Sequence, residues 1–328
     1  MRRTIVLVAL AALLMGVGTS FATVNKVGSS SALFLKIGID SRGVAMGEAY
    51  SANVMGIPSV FSNPAGLASL GGKGVFVSDA EWLADVRLIG GAYGFKYKEL
   101  GTFAFSILTA NYGEMPLVSE HSSDVASGTF TARDIAIGFT FAKQWTHMLY
   151  VGGTAKYIDQ TIADFTSRGI AFDFGTIYYT GIGTLRLAMA TTNFGPDMTY
   201  DGSYTDKYYI GMSHIEEERL YGSNDLPLNF RLGVAYDFEL GQNSFVTLAL
   251  DATHPTDYSE RVHLGGEYGW SNTVFFRMGY TTNAEEMGLS GGAGVLLDTS
   301  FGDTAVDYAY TEFGVFNGVH RISLKLNW

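Results

Sequence analysis

From residue 73 onward the chain repeats one pattern. Apolar and polar positions alternate over stretches of about ten residues, and turn residues separate the stretches. Over 130–143, Ile135, Ile137, Phe139 and Phe141 share one side, while Asp134, Ala136, Gly138 and Thr140 share the other. Over 226–240, Phe230, Leu232, Val234, Tyr236 and Phe238 alternate with Arg231, Gly233, Ala235, Asp237 and Glu239. Over 261–270, Val262, Leu264, Gly266, Tyr268 and Trp270 oppose Arg261, His263, Gly265 and Glu267. The last run sets Ile322, Leu324, Leu326 and Trp328 against Arg321, Ser323, Lys325 and Asn327. A period of two puts each set on one face of a strand. Such runs are predicted at 73–79, 86–98, 100–111, 130–143, 146–160, 169–180, 183–194, 226–240, 243–253, 261–270, 273–282, 289–297, 303–312 and 319–328. An even number of antiparallel strands of this length predicts an all-β fold, a transmembrane outer-membrane β-barrel of about 14 strands.

Alternation alone does not say which face meets water. Three features turn the apolar face toward lipid. Gly and Ala recur on the polar face (Ala136, Gly138, Gly233, Ala235, Gly265, Gly279), as expected where a plug must fit. Tyr97, Tyr178, Tyr236, Trp270 and Trp328 sit near run ends on the apolar face, like an interfacial girdle. The chain closes on Leu324-Lys325-Leu326-Asn327-Trp328, which resembles the assembly signal of outer-membrane proteins, with Trp328 as its terminal aromatic. Connection lengths add a direction. Those at 99, 144–145, 181–182, 241–242 and 271–272 are short and read as periplasmic turns; 112–129 and 195–225 are long and read as external loops.

The stretch 33–70 breaks the pattern. Asp40-Ser41 can cap a short helix over 42–53, rich in the small residues Gly43, Ala45, Gly47, Ala49 and Ala52, which allow close packing against a wall. Ile57-Pro58 is expected to end regular structure, and Ser62-Asn63-Pro64-Ala65-Gly66-Leu67 to form a tight turn, with Asn63 bonding the backbone just after itself. The segment reads as a rigid plug with few ladder bonds to the wall. Its key positions are Gly43, Gly47, Asn63, Pro64, Ala65 and Gly66.

Phe34-Leu35-Lys36-Ile37-Gly38, Ser41-Arg42-Gly43-Val44-Ala45-Met46-Gly47 and Asn63-Pro64-Ala65-Gly66-Leu67 resemble the N-terminal hatch of the PorV/PorQ family, relatives of the FadL-type fatty-acid channels. Gly113-Glu114-Met115-Pro116, Gly153-Thr154-Ala155-Lys156-Tyr157-Ile158, Asn193-Phe194-Gly195-Pro196-Asp197-Met198 and Glu260-Arg261-Val262-His263-Leu264-Gly265 extend the resemblance over nearly the whole mature chain. The resemblance implies a hatch inside the barrel lumen. It also implies a non-enzymatic part in type IX secretion, as a barrel that binds exported cargo and hands it on. The alternative is a FadL-like channel for uptake or export of hydrophobic small molecules. The implied partners are outer-membrane lipid, the barrel-assembly machinery, and a secreted cargo protein or a hydrophobic ligand.

Composition narrows this further. The 328 residues carry a net charge of -11 and a pI near 4.9, which leaves no basic surface for nucleic acid. There is no Cys, hence no disulfide or thiolate metal site. Met1-Arg2-Arg3, the apolar run 5–17 and Ser20-Phe21-Ala22 read as a cleaved signal peptide. The expected organisation is a signal peptide at 1–22, a hatch at 23–71 and a barrel at 72–328, residing in the outer membrane of a diderm bacterium.

Candidate chemistry is sparse. Gly288-Leu289-Ser290-Gly291-Gly292 matches a nucleophile elbow but lacks the strand–turn–helix setting that motif needs. The six His (His121, His147, His214, His254, His263 and His320) show no ligand spacing, and no cofactor is expected. Asp197, Asp201 and Asp206 lack the calcium-loop pattern and read as part of a solvated acidic loop with Glu216, Glu217, Glu218 and Asp225. The same loop holds Tyr200, Tyr204, Tyr208, Tyr209 and Tyr221, a composition that also suits a contact surface. The lumen-facing charges are Asp134, Lys156, Asp173, Arg186, Arg231, Asp237, Asp251, Glu267, Arg277, Asp307, Arg321 and Lys325. Their mixed signs read as a charge ladder that ties wall to plug.

Overall fold

A computed structural model describes residues 28–118, 128–210, 213–283, 288–316 and 318–328. The signal-peptide reading, the first residues of the hatch and His121 lie outside them. Fourteen strands close into one antiparallel barrel: β1 (Lys73–Glu81), β2 (Arg87–Tyr97), β3 (Gly101–Pro116), β4 (Thr129–Thr146), β5 (Leu149–Ile162), β6 (Phe165–Tyr179), β7 (Arg186–Phe194), β12 (Asn229–Glu239), β13 (Phe245–Pro255), β14 (Arg261–Trp270), β15 (Val274–Thr281), β16 (Leu289–Thr299), β17 (Gly302–Glu312) and β18 (Gly318–Asn327). Neighbours in the chain are neighbours in the wall, and β1 pairs with β18 from Gly74↔Asn327 to Glu81↔His320. Closure is completed by Lys73 N–H donating to the Trp328 carbonyl (2.8 Å) and Trp328 N–H to the Lys73 carbonyl (2.9 Å). A closed sheet leaves no edge, which is what hydrocarbon demands of a spanning β-structure.

The faces divide as the alternation predicts. Ile137, Phe139 and Phe141 are exposed on the outside of β4, and Ala136, Gly138 and Thr140 are buried inside. Tyr97, Tyr178, Trp270 and Trp328 are exposed at the strand ends beside the short turns, with Tyr236 half-exposed at the same level. They form a girdle at the end with the short turns, the end that the sequence reading makes periplasmic.

The loop between β7 and β12 holds more order than its sequence suggests. Here β8 (Met198–Thr199) pairs with β11 (Ser223–Asn224), and β9 (Ser203–Ile210) pairs with β10 (Ser213–Leu220), giving an external β-ribbon. Met198 and Leu226 at its base are buried with Phe34 of the hatch.

The hatch departs from expectation in two respects. Its helix α1 spans only Ser41–Ala45. Asp40 caps it, accepting from Arg42 N–H at 3.3 Å. It stops because Gly47 (φ 64°) and Glu48 (φ 64°) turn left-handed. Gly47 N–H then bonds the Val44 carbonyl and Glu48 N–H the Gly43 carbonyl, which closes the C-terminus. The expected break at Ile57-Pro58 is instead the start of a 3₁₀ turn, Ile57–Phe61, and the Asn63 turn continues as a second, Pro64–Ser69. Proline is tolerated in both because the first N–H of a helix needs no partner. No ladder joins hatch to wall among the described residues.

Candidate functional site

The hatch crosses the lumen from outside to inside. Ser31 N–H donates to the Asp225 carbonyl (2.9 Å) and Ala32 N–H to Gln160 Oε1 (3.0 Å) at the external end. Gly56 and Leu70 lie beside Trp328 and Asn327 at the periplasmic end. Between them, Ala45, Met46, Ala49, Ala52, Ile57, Ala65 and Leu67 have at most 0% exposure, so the segment fills the barrel at mid-height.

Wall glycines receive it. A Cβ on Gly279 would overlap the backbone of Gly47, and one on Gly152 would lie 2.5 Å from the Pro64 carbonyl. Gly175 takes Asn63 in the same way. Asn63 Oδ1 accepts from Ala65 N–H (3.2 Å), and its Nδ2 donates to the carbonyls of Ser51 (3.0 Å) and Thr176 (3.3 Å). The turn is thus fixed to itself, to the hatch and to β6 at once. Gly66 is packed against the Val54 carbonyl and accepts from Gly56 N–H.

The lumen-facing charges fall into two groups. One holds the hatch. Arg42 of α1 makes a two-pronged contact to Glu267 of β14 (2.9 and 2.7 Å). Glu267 also accepts from Arg277 of β15 (2.5 Å), and Arg277 reaches Asp307 of β17 (2.6 Å). Arg231 of β12 donates to the Glu48 carbonyl (2.7 Å) and lies 3.5 Å from Asp251 of β13, which accepts from Ser51 N–H (2.9 Å). Arg321 of β18 donates to the Gly38 carbonyl (3.0 Å). The other group ties strands to one another. Lys156 pairs with Asp173 (2.6 Å), Arg186 with Asp237 (2.6 Å), and Asp134 accepts from Tyr112 (2.6 Å). Lys325 lines the periplasmic end.

Several residues that join hatch and wall have no such role in the sequence reading: Lys36, which pairs with Asp257 (2.8 Å), Arg42, Glu48, and His263, whose Nδ1 donates to the Gly47 carbonyl (2.8 Å). A charge set among small and apolar residues was the available signal. Burial is the main cause that raises the Asp40 carboxyl to about 6, helped by Asp307 and opposed by Arg42, Lys325 and Arg277. Burial works to discharge Arg42, but Glu267 outweighs it and holds the guanidinium's proton more tightly than usual. Burial also opposes charge on Glu48, and Arg231 outweighs it, leaving that carboxyl below its ordinary range.

Near the external mouth a cavity of about 100 Å³ lies between hatch and wall. Leu35, Ile37 and Phe61 line it from the hatch; Arg231, Arg261 and Asn229 line it from the wall. The same three hatch residues also border a narrow pocket of about 20 Å³ whose other walls include Ile39, Val60, Leu108 and Ala136.

No family model matches the chain, and comparison with curated proteins finds no match. Solved structures do share its architecture. The toluene transporter TbuX of Ralstonia pickettii superposes with a TM-score of 0.57 at 14% identity, over 89% of this chain and 98% of TbuX. CymD, a monoaromatic hydrocarbon channel, gives a TM-score of 0.58 at 13% identity, over 91% and 99%. A FadL homologue of Pseudomonas aeruginosa gives 0.50 at 10% identity, over 94% and 99%. The first two are described as a transporter and a channel. The chain has the fold of a FadL-like outer-membrane barrel, closed by fourteen strands around an internal hatch.

Proposed function

We propose that this barrel passes a small hydrophobic or amphipathic molecule across the outer membrane, with the hatch as the obstruction that must shift. One observation carries the reading. Leu35, Ile37 and Phe61 line both the external cavity and the narrow pocket beside it along the hatch–wall seam. Asn229, Arg231 and Arg261 line the cavity beside them, polar side chains that can orient a polar end. The shared fold with toluene and monoaromatic hydrocarbon carriers supports the same substrate class. The test is uptake of radiolabelled toluene and decanoate by cells that lack their own hydrocarbon channels. Expression should raise the rate several-fold, and Phe61→Asp should remove the gain. Equal uptake with and without the folded barrel overturns the reading.

A second reading, the cargo-binding barrel of type IX secretion, draws on the PorV/PorQ resemblance of the hatch and on the external ribbon. That ribbon carries Asp206, Glu216, Glu217 and Glu218 and has two strand edges outside the barrel. Deleting 201–221 separates the readings: cargo release at the cell surface should fail if the second holds, and hydrocarbon uptake should persist if the first does.

A further inference from the structure

The outer face of β2–β6 changes character over four residues. Ile107, Ile137, Tyr157 and Ile170 stand opposite one another on β3 to β6, all exposed, as a lipid-facing row should be. Four residues further from the short turns, the same face carries Asn111, Arg133, Thr161 and Thr166 in one row, with Arg87 of β2 opposite Asn111. Arg168 of β6 stands between the two rows. Neighbouring strands lie about 4.8 Å apart, so Arg133 begins about 10 Å from Arg87 and about 12 Å from Arg168.

Two of these three guanidiniums are engaged. Arg87 forks onto Asp79 of β1, and Arg168 Nε donates to Asp159 of β5 (3.0 Å). Arg133 is exposed and, among the described residues, makes no hydrogen bond or ion pair. It is an uncompensated cation where the apolar belt ends. Its neighbour Asn111 is exposed, and its Oδ1 accepts from Gly113 N–H (3.0 Å), which leaves the amide nitrogen to donate outward. Glu114 of β3, paired with Thr131 one step further from the belt, is exposed as well. It opposes an anion that approaches from the loops. On the membrane side, the next outward residue of β4 is Ile135, so an anion carried by a lipid meets no such charge there.

We infer that this row binds the headgroup of a phosphorylated glycolipid in the membrane leaflet at the long-loop end. A phosphate pairs with Arg133, whose planar fork matches two phosphate oxygens. Sugar hydroxyls bond Asn111 and the threonines beside it. The acyl chains continue onto Ile107, Ile137 and Tyr157, part of the same lipid-facing belt. The site goes beyond the passage reading and does not depend on it, because this face lies outside the lumen.

Native mass spectrometry of the purified full-length barrel in detergent, with added diphosphoryl lipid A, tests this. Wild type should hold at least one lipid A, at an occupancy at least fivefold above that of lipid A stripped of its phosphates. Arg133→Gln should lower the occupancy at least fivefold. Lys143→Gln should leave it unchanged, since Lys143 is on the same face of β4 but at the opposite rim. Excess inorganic phosphate should not displace the lipid. Occupancy indifferent to the phosphates, equal occupancy in Arg133→Gln, or a larger loss in Lys143→Gln overturns the inference. So does displacement by inorganic phosphate, which would make the site one for a free anion. The comparison of the two lipids uses wild type alone, so it decides even if Arg133→Gln fails to fold.

Discussion

The two sides of the hatch meet the wall in different ways. Toward β1–β6 the contact is mainly apolar and carries no ion pair among the described residues: Phe34, Ile39, Ile57, Val60, Leu67 and Leu70 pack against Phe76, Leu88, Leu108, Ile158 and a series of wall alanines. Toward β12–β18 it is polar and charged: Arg42 on Glu267, Arg231 on Glu48, Arg321 on the Gly38 carbonyl. Apolar burial is non-directional and tolerates small displacements. A forked guanidinium–carboxylate contact does not. The apolar seam therefore supplies adhesion, and the charged seam sets the register at which the hatch rests. A buried ion pair adds little net stability against apolar packing, but breaking it from one side is costly. This makes the charged seam a latch and the apolar seam a surface along which the hatch can slide once unlatched.

The largest expected effect comes from Glu267→Gln. It leaves Arg42 and Arg277 buried around a neutral amide, at a cost of about 3–5 kcal/mol. Urea titration in lipid vesicles should show that loss, and limited proteolysis should cut the hatch while the strands remain protected. A fully protected hatch would mean that the apolar seam alone holds it.

The pH dependence should be smaller and specific in sign. Asp40 titrates at about 6 in the folded hatch against an ordinary 3.8. Between those values the folded state keeps a proton that the released segment gives up. Stability of the hatch should then fall as pH rises from about 4 to 6, by about 3 kcal/mol at most. Asp40→Asn should remove that slope. Glu48, held low by Arg231, acts the other way, and its contribution is lost as pH falls through its depressed value. Hatch proteolysis rates measured across pH 4–7 in both proteins check this.

The smallest effect belongs to the apolar seam. Ile57→Val should cost about 0.5–1.5 kcal/mol and leave hatch proteolysis unchanged. A hatch that becomes labile on this change would erase the distinction between the seams.

What the sequence makes legible follows the same division. The fourteen wall strands are visible because lipid on one side and a plug on the other force strict alternation, as in Ile135–Phe141 of β4. The Asn63 turn is visible because its bond to Ala65 N–H is local. The ribbon is not: Ser203–Ile210 reads SYTDKYYI, with no apolar–polar alternation to mark it as a strand. The helix was expected to run to 53, because nothing in composition says that Gly47 and Glu48 adopt left-handed backbone. Glu267, Arg277 and Asp307 stand out as charges on a lumen face. Their link to Arg42 spans 225 residues and is set by how the hatch folds back, which no local spacing records.

The central claim is that the hatch occludes the lumen because it fits the wall closely. Conductance in planar bilayers tests it most directly, with wild type compared to Gly43→Leu/Gly47→Leu. At Gly47 a Cβ would lie 2.7 Å from the Tyr280 nitrogen of β15, and at Gly43 it would overlap the Tyr50 ring. The double variant therefore cannot seat. Wild type should be nearly closed and the variant leaky, with its barrel intact. Equal, large conductance in both would contradict it, because the hatch would then not be what closes the lumen.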